Sequence, residues 1–275
     1  MKSIIRKVKR NSSELNKKAD YIQVSYFNFS EGALPMWGPR RYQETTPKQK
    51  RLNEKKAKRY FEALVEANFK GNRDLVVHPT FSENNYPESE EEAHRVVKNW
   101  ISRLNYRRKK MGIENCKYII VFEKSPKGRM HFHVLMDGRL PREVVENCWH
   151  LGYCNADRLK ADPKIGLQKI IGYLSKGRDD EKNSKRWIPS KGLVKPWISC
   201  SKSTRVSRRS FELMKKIPED SEYFRQIIEQ DNPGYELQDV ERSMSSETGQ
   251  MYLFCRMRLK ERVRKRGRYE THKGK

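Results

Sequence analysis

The chain has no apolar run near the roughly 20 residues needed to span a bilayer, and its N-terminus lacks the apolar core of a signal peptide. Both absences point to a soluble, intracellular protein. Five cysteines (Cys116, Cys148, Cys154, Cys200 and Cys255) stand without paired spacing. That excludes a disulfide framework and suits a reducing compartment. Cys148-x-His150-x3-Cys154 is the nearest approach to a zinc cluster, but it lacks a fourth ligand, and packing at a helix end accounts for it. There is no Gly-x4-Gly-Lys-Ser/Thr loop, which excludes a fused ATP-driven motor. Only 35% of residues are hydrophobic, so the core must be economical and part of the chain is expected to order only on a partner. Acidic residues are outnumbered, 35 Asp plus Glu against 60 Lys plus Arg, for a net charge of +25. Such an excess suits a polyanion and argues against a small-molecule enzyme.

What the chain does have reads as alternating helices and strands. Residues 1–45 are basic and polar without sustained periodicity, and are expected to form a flexible arm. From Thr46 to Asn68, Ala57, Tyr60, Phe61, Leu64 and Val65 share one helical side, with lysines and arginines elsewhere. Leu75–Phe81 reads as a strand, in which Pro79 must sit at an edge, an end or a bulge. Ser89 with Glu92 makes a capping box ahead of an amphipathic helix carrying Ala93, Val97, Trp100, Ile101 and Leu104. Arg142–Trp149 is a short helix, Tyr153–Leu159 a strand and Lys164–Lys176 a helix. The order predicts an α+β domain over residues 46–202, one antiparallel sheet with packed helices, followed by a basic extension over 203–275.

Chemistry concentrates in the middle of that domain. His131 and His133 lie two apart in the apolar run Met130–Met136, so in a strand they share a face while Phe132, Val134 and Met136 take the other. Lys117–Glu123 is a second strand, and the Pro- and Gly-containing Lys124–Arg129 supplies a turn. A symmetric hairpin pairs Glu123 with His131 and Val121 with His133, which gathers one carboxylate and two imidazoles as a three-ligand divalent site. Further on, Leu167, Ile170, Ile171 and Leu174 follow helical spacing, leaving Tyr173 and Lys176 as neighbours off the apolar stripe.

A carboxylate, then His-hydrophobic-His, then Tyr-x-x-Lys resembles the Rep-type HUH endonucleases that initiate rolling-circle replication, in particular those of bacterial plasmids and single-stranded DNA phages. The resemblance covers roughly Asp74 to Lys202. The first-strand pattern of that family, Thr-x-Thr-Phe, is interrupted here by Pro79. The resemblance implies a ferredoxin-like core and a bacterial cytoplasmic setting. It also implies Mg2+ or Mn2+ on Glu123, His131 and His133, with Tyr173 as nucleophile and Lys176 stabilising its charge. A phenol in water ionises near pH 10, hence the need for such help. The expected partners are single-stranded DNA at a replication origin, a host helicase and a DNA polymerase. No second tyrosine lies three or four residues from Tyr173, which sets the chain apart from initiators with paired tyrosines. An HUH transposase and a non-catalytic nucleic-acid-binding domain are the alternative readings. Aromatic stacking and phosphate contacts to a single strand are expected from Lys185, Arg186, Trp187, Lys191, Lys195 and Trp197. Arg256, Arg258, Lys260, Arg262 and Arg264 recur every second residue, so a strand there would gather the charges on one face.

Overall fold

The structure is a computed structural model that describes residues 3–15, 17–30, 46–71, 73–125, 128–162, 164–175, 187–201, 204–245 and 248–260. In chain order its elements are β1 (Ser3–Asn11), β2 (Tyr21–Ser30), α1 (Pro47–Asn68), β3 (Leu75–Pro79), α2 (Glu90–Lys110), β4 (Tyr118–Lys124), β5 (Met130–Met136) and α3 (Arg142–Asn147). They continue with β6 (Cys154–Arg158), α4 (Gln168–Leu174), β7 (Ile188–Pro189), β8 (Trp197–Ser201), α5 (Arg208–Leu213), α6 (Glu222–Asp231), β9 (Tyr235–Met244) and β10 (Met251–Leu259). None of the described helices is long and apolar enough to cross a membrane.

Two antiparallel sheets, each with packed helices, divide the chain into a continuous unit (68–194) and a split unit made of 1–67 and 195–275. This corrects the expected organisation of one sheet flanked by an arm and an extension. Ser3–Asn11 and Tyr21–Ser30 pair with each other, and β10 pairs with β2. The order is β8-β1-β2-β10-β9. The arm's strands escape a local reading because their neighbours β8 and β10 come from the far end of the chain. One face of this sheet packs Ile22, Val24, Leu253, Cys255 and Met257 with Phe211 of α5 and Phe224 and Ile228 of α6. Residues 31–45 of the expected arm lie outside the described residues.

The continuous unit has the strand order β6-β3-β5-β4-β7. Alternation sends Val77, Ile120, Phe122, Phe132, Val134 and Met136 into a core with Ala93, Val97, Trp100, Ile101 and Leu104 of α2 and Val145 of α3. The Ser89 hydroxyl accepts the Glu92 N–H at the start of α2, while the Glu92 carboxylate accepts the Glu88 N–H. The β4–β5 register has Glu123 opposite His131 and Val121 opposite His133, as the turn residues suggested. Gly128 takes φ +77° in that turn and donates its N–H to the Ser125 carbonyl, a conformation that costs glycine little. Pro79 is the last residue of β3, a strand position that needs no further ladder N–H.

The tyrosine helix is shorter than its spacing predicts, Gln168–Leu174 instead of Lys164–Lys176. The Asp162 carboxylate accepts the N–H groups of Lys164 and Ile165, and Gly166 follows at φ +61°. That turn takes up the residues read as the first helical turn, a competition between side chain and helix typical of Asp.

Candidate metal centre and tyrosine

The site is assembled on the sheet face opposite the α2 core. By strand parity that face carries Val121 and Glu123 of β4, His131 and His133 of β5, Val76 and His78 of β3, and Asn155 and Asp157 of β6. Glu123, His131 and His133 each offer a ligand atom, all within 4.8 Å of one another. His133 Nε2 lies 2.8 Å from Glu123 Oε2, and His131 Nε2 lies 3.5 Å from the same oxygen. One carboxylate oxygen and two imidazole nitrogens converging this closely fit a divalent cation with coordination positions to spare. Cys148, His150 and Cys154 form no such cluster among the described residues.

His133 is buried at 3% exposure, whereas His131 and Glu123 are 27% and 31% exposed. The cluster is thus fixed at its inner end and open at its outer end. Burial, with His78 alongside, lowers the His133 pKa to about 4. Burial also lowers that of His78, against the opposing pull of Asp157. Both rings are neutral at pH 7, as metal ligation by imidazole requires.

His78 is the site residue that the sequence reading missed. Its Nδ1 lies 2.7 Å from His133 Nδ1, so with both rings neutral a single proton sits between those two nitrogens. The close contact of His133 Nε2 with Glu123 is satisfied when Nε2 carries the other proton and His78 donates at Nδ1. When His133 gives up its Nε2 proton, its Nδ1–H can turn to His78 as acceptor. His78 therefore supports either tautomer of His133, the outer-shell role that orients metal-ligating histidines. Its placement follows from the ladder: β3 and β5 are paired as far as Val77 with Val134, and His78 and His133 are the next residues along.

Tyr173 reaches the same cluster from α4. Ile171 and Leu174 bury the helix's apolar side, and Tyr173 stays 46% exposed with its ring edge-on to His133 at 5.1 Å between centroids. Residues 79–178 match the family model of the ORF2-type replication-associated proteins. That match assigns the segment to the Rep-type HUH replication initiators. It lies within the continuous unit and contains the hairpin, His78 excepted, together with Tyr173 and Lys176. No curated protein and no solved structure gave a match.

The remaining expected site residues fare differently. Lys176, Lys185, Arg186, Arg262 and Arg264 lie outside the described residues. Trp187 and the exposed Lys191 belong to the continuous unit, and Lys195 and Trp197 to the split unit, so the segment read as one binding loop divides between two bodies. The Trp197 indole N–H donates to the Glu14 carbonyl at 3.2 Å, which anchors it in β8. Arg256 and Arg258 do share a strand face, but that face packs on α1. Arg256 Nε lies 2.9 Å from Glu62, and its Nη1 lies 2.6 Å from Asp239 and 2.8 Å from Glu241. Arg258 pairs with Glu66, and Lys260 with Glu229 at 2.7 Å. Arg256 and Arg258 are only 11% exposed, so the expectation that they bind DNA is corrected: their charges are already neutralised inside the fold.

Proposed function

We propose that the continuous unit is the HUH core of a rolling-circle replication initiator, a metal-dependent, site-specific endonuclease and strand transferase acting on single-stranded DNA. The observation that carries this reading is the approach of the exposed Tyr173 ring to His133 of the Glu123–His131–His133 cluster. The order β3-α2-β4-β5-α3-β6, with β3 and β5 as inner strands, supports a ferredoxin-like core.

A divalent ion, Mg2+ or Mn2+, held by Glu123, His131 and His133 would supply Lewis-acid polarisation of the scissile phosphodiester. Tyr173 Oη loses its proton and bonds to phosphorus, the bond from phosphorus to the 3′-oxygen breaks, and that oxygen takes up a proton. The products are a 5′-phosphotyrosine and a free 3′-hydroxyl that a polymerase can extend. Lys176, two residues beyond the end of α4, serves to stabilise the phenolate and the charge that builds on the phosphate. Covalent attachment conserves the phosphodiester for later rejoining. Strand separation falls to a host helicase, and the setting is the cytoplasm of a bacterium bearing the plasmid or phage.

The test is incubation with origin single strands and Mn2+ followed by mass spectrometry. A DNA adduct on Tyr173, absent in Tyr173→Phe with binding retained, is expected. An adduct on Tyr153 or Tyr118, or free 5′-phosphate ends made by a fully active Tyr173→Phe protein, would overturn the assignment.

A further inference from the structure

Beside Tyr173, on the β6 side of the same sheet face, lies a cavity of about 830 Å³, within the size range of ligand pockets. The buried Val76 and Leu159 line it together with Ile170 and the Tyr173 ring. Its charged lining is Arg142, Arg158, Lys160 and Lys169 against the single carboxylate of Asp157. Two of these cations are already engaged: Arg158 donates to the Arg73 and Gly138 carbonyls, and Lys169 lies 3.5 Å from Asp162. Arg142 and Lys160 have no ion pair among the described residues. An apolar floor with unneutralised cations at its margin suits a group that is flat and apolar on one side and anionic on the other, which is the chemistry of a nucleotide.

We propose that this cavity seats the first nucleotides of the strand that stays bonded to Tyr173, those on the 3′ side of the cleaved bond. The proposal rests on Tyr173 being the nucleophile. In-line displacement puts the leaving 3′-oxygen across phosphorus from the attacking phenolic oxygen. The released strand therefore departs on the far side of the phosphate from Tyr173. The strand carrying the 5′-oxygen remains tied to the tyrosine and needs room next to it. The cavity that Tyr173 itself lines supplies that room, and Arg142 and Lys160 supply counter-charges for the phosphates that follow.

Two short probes separate the strands: octathymidylate with a 5′-phosphate and a 3′-fluorophore, which mimics the retained strand, and octathymidylate with a 5′-fluorophore and a free 3′-hydroxyl, which mimics the released one. Fluorescence anisotropy on the full chain should show Arg142→Ala/Lys160→Ala weakening the first probe by about tenfold or more, from loss of charge-assisted contacts, and the second by less than about threefold. The conservative Arg142→Lys/Lys160→Arg protein should recover most of the loss. In the unsubstituted protein, 4-thiothymidine at the first position of the phosphorylated probe should photo-crosslink to peptides from Asp157–Lys160 or Lys169–Tyr173. Equal weakening of both probes, no weakening of either, or cross-links elsewhere would overturn the proposal. Because these readouts need neither cleavage nor metal, a protein that forms no adduct on origin DNA would sink the nuclease reading without deciding this one.

Discussion

The two five-stranded sheets treat their polar faces in opposite ways. In the split unit the charged face is closed on itself, with Arg59, Arg256 and Arg258 meeting Glu62, Glu66, Asp239 and Glu241. In the continuous unit Glu123, His131, His133 and His78 cluster through contacts with one another, and the outer two ligands remain open to solvent. A carboxylate already paired with arginine has its charge satisfied and holds elements together. A carboxylate facing imidazoles retains the capacity to bind a cation. The density of charge therefore says little about function until the partner of each charge is known.

The largest effect is expected at the cluster. His131→Ala/His133→Ala should abolish Mn2+ binding measured by calorimetry and lower metal-dependent cleavage by several orders of magnitude, as loss of a group acting as part of a catalytic unit does. The urea midpoint should move little, since His131 is partly exposed and the core of that unit lies on the other sheet face. Cleavage by this variant at the unsubstituted rate in chelator-treated buffer would end the metal assignment.

In the split unit the same kind of change should act on stability instead. Arg256→Ala leaves Glu62 buried at 3% exposure without its counter-charge, which costs about 3–5 kcal/mol in comparable buried pairs. Urea titration checks the loss, and Arg256→Met/Glu62→Leu should regain much of it by removing both charges. The salt dependence of DNA binding should be unaltered at temperatures where the variant is folded. A stable Arg256→Ala protein with a flatter salt slope would instead return that strand to the DNA surface.

The smallest effect is expected where the cluster meets its support. His78→Ala should weaken Mn2+ affinity by about 10–100-fold through lost orientation of His133, with less harm from His78→Asn, which keeps a polar group able to donate or accept. Calorimetric affinity, not cleavage alone, is the measure. An unchanged affinity in His78→Ala would reduce the His78–His133 contact to packing.

How much of this was legible depended on distance along the chain. The hairpin register was readable because β4, β5 and their turn are local, and a period of two residues assigns faces without further information. The α2 cap and apolar stripe were readable for the same reason. His78 was not, because its meeting with His133 depends on β3 lying beside β5, 55 residues away. The strands of the expected arm were invisible in the same sense: Val8 faces Ser25 on one side and Cys200 on the other. Alternating arginines near the C-terminus correctly implied a strand face, but not what covers it.

Local periodicity and composition were enough to specify the ligand set and its shared face, the apolar side of the tyrosine helix and the basic character of the chain. Tertiary packing was needed to establish that the chain's two ends build one sheet, that His78 stands behind His133 and that Arg256 and Arg258 are engaged by α1. The last case shows the reason in miniature. Glu62 and Glu66 are four residues apart on a helix, about 6 Å along its axis, and Arg256 and Arg258 are two apart on a strand, about 6.6 Å. The spacings match, yet nothing in either segment alone reveals that the other lies against it.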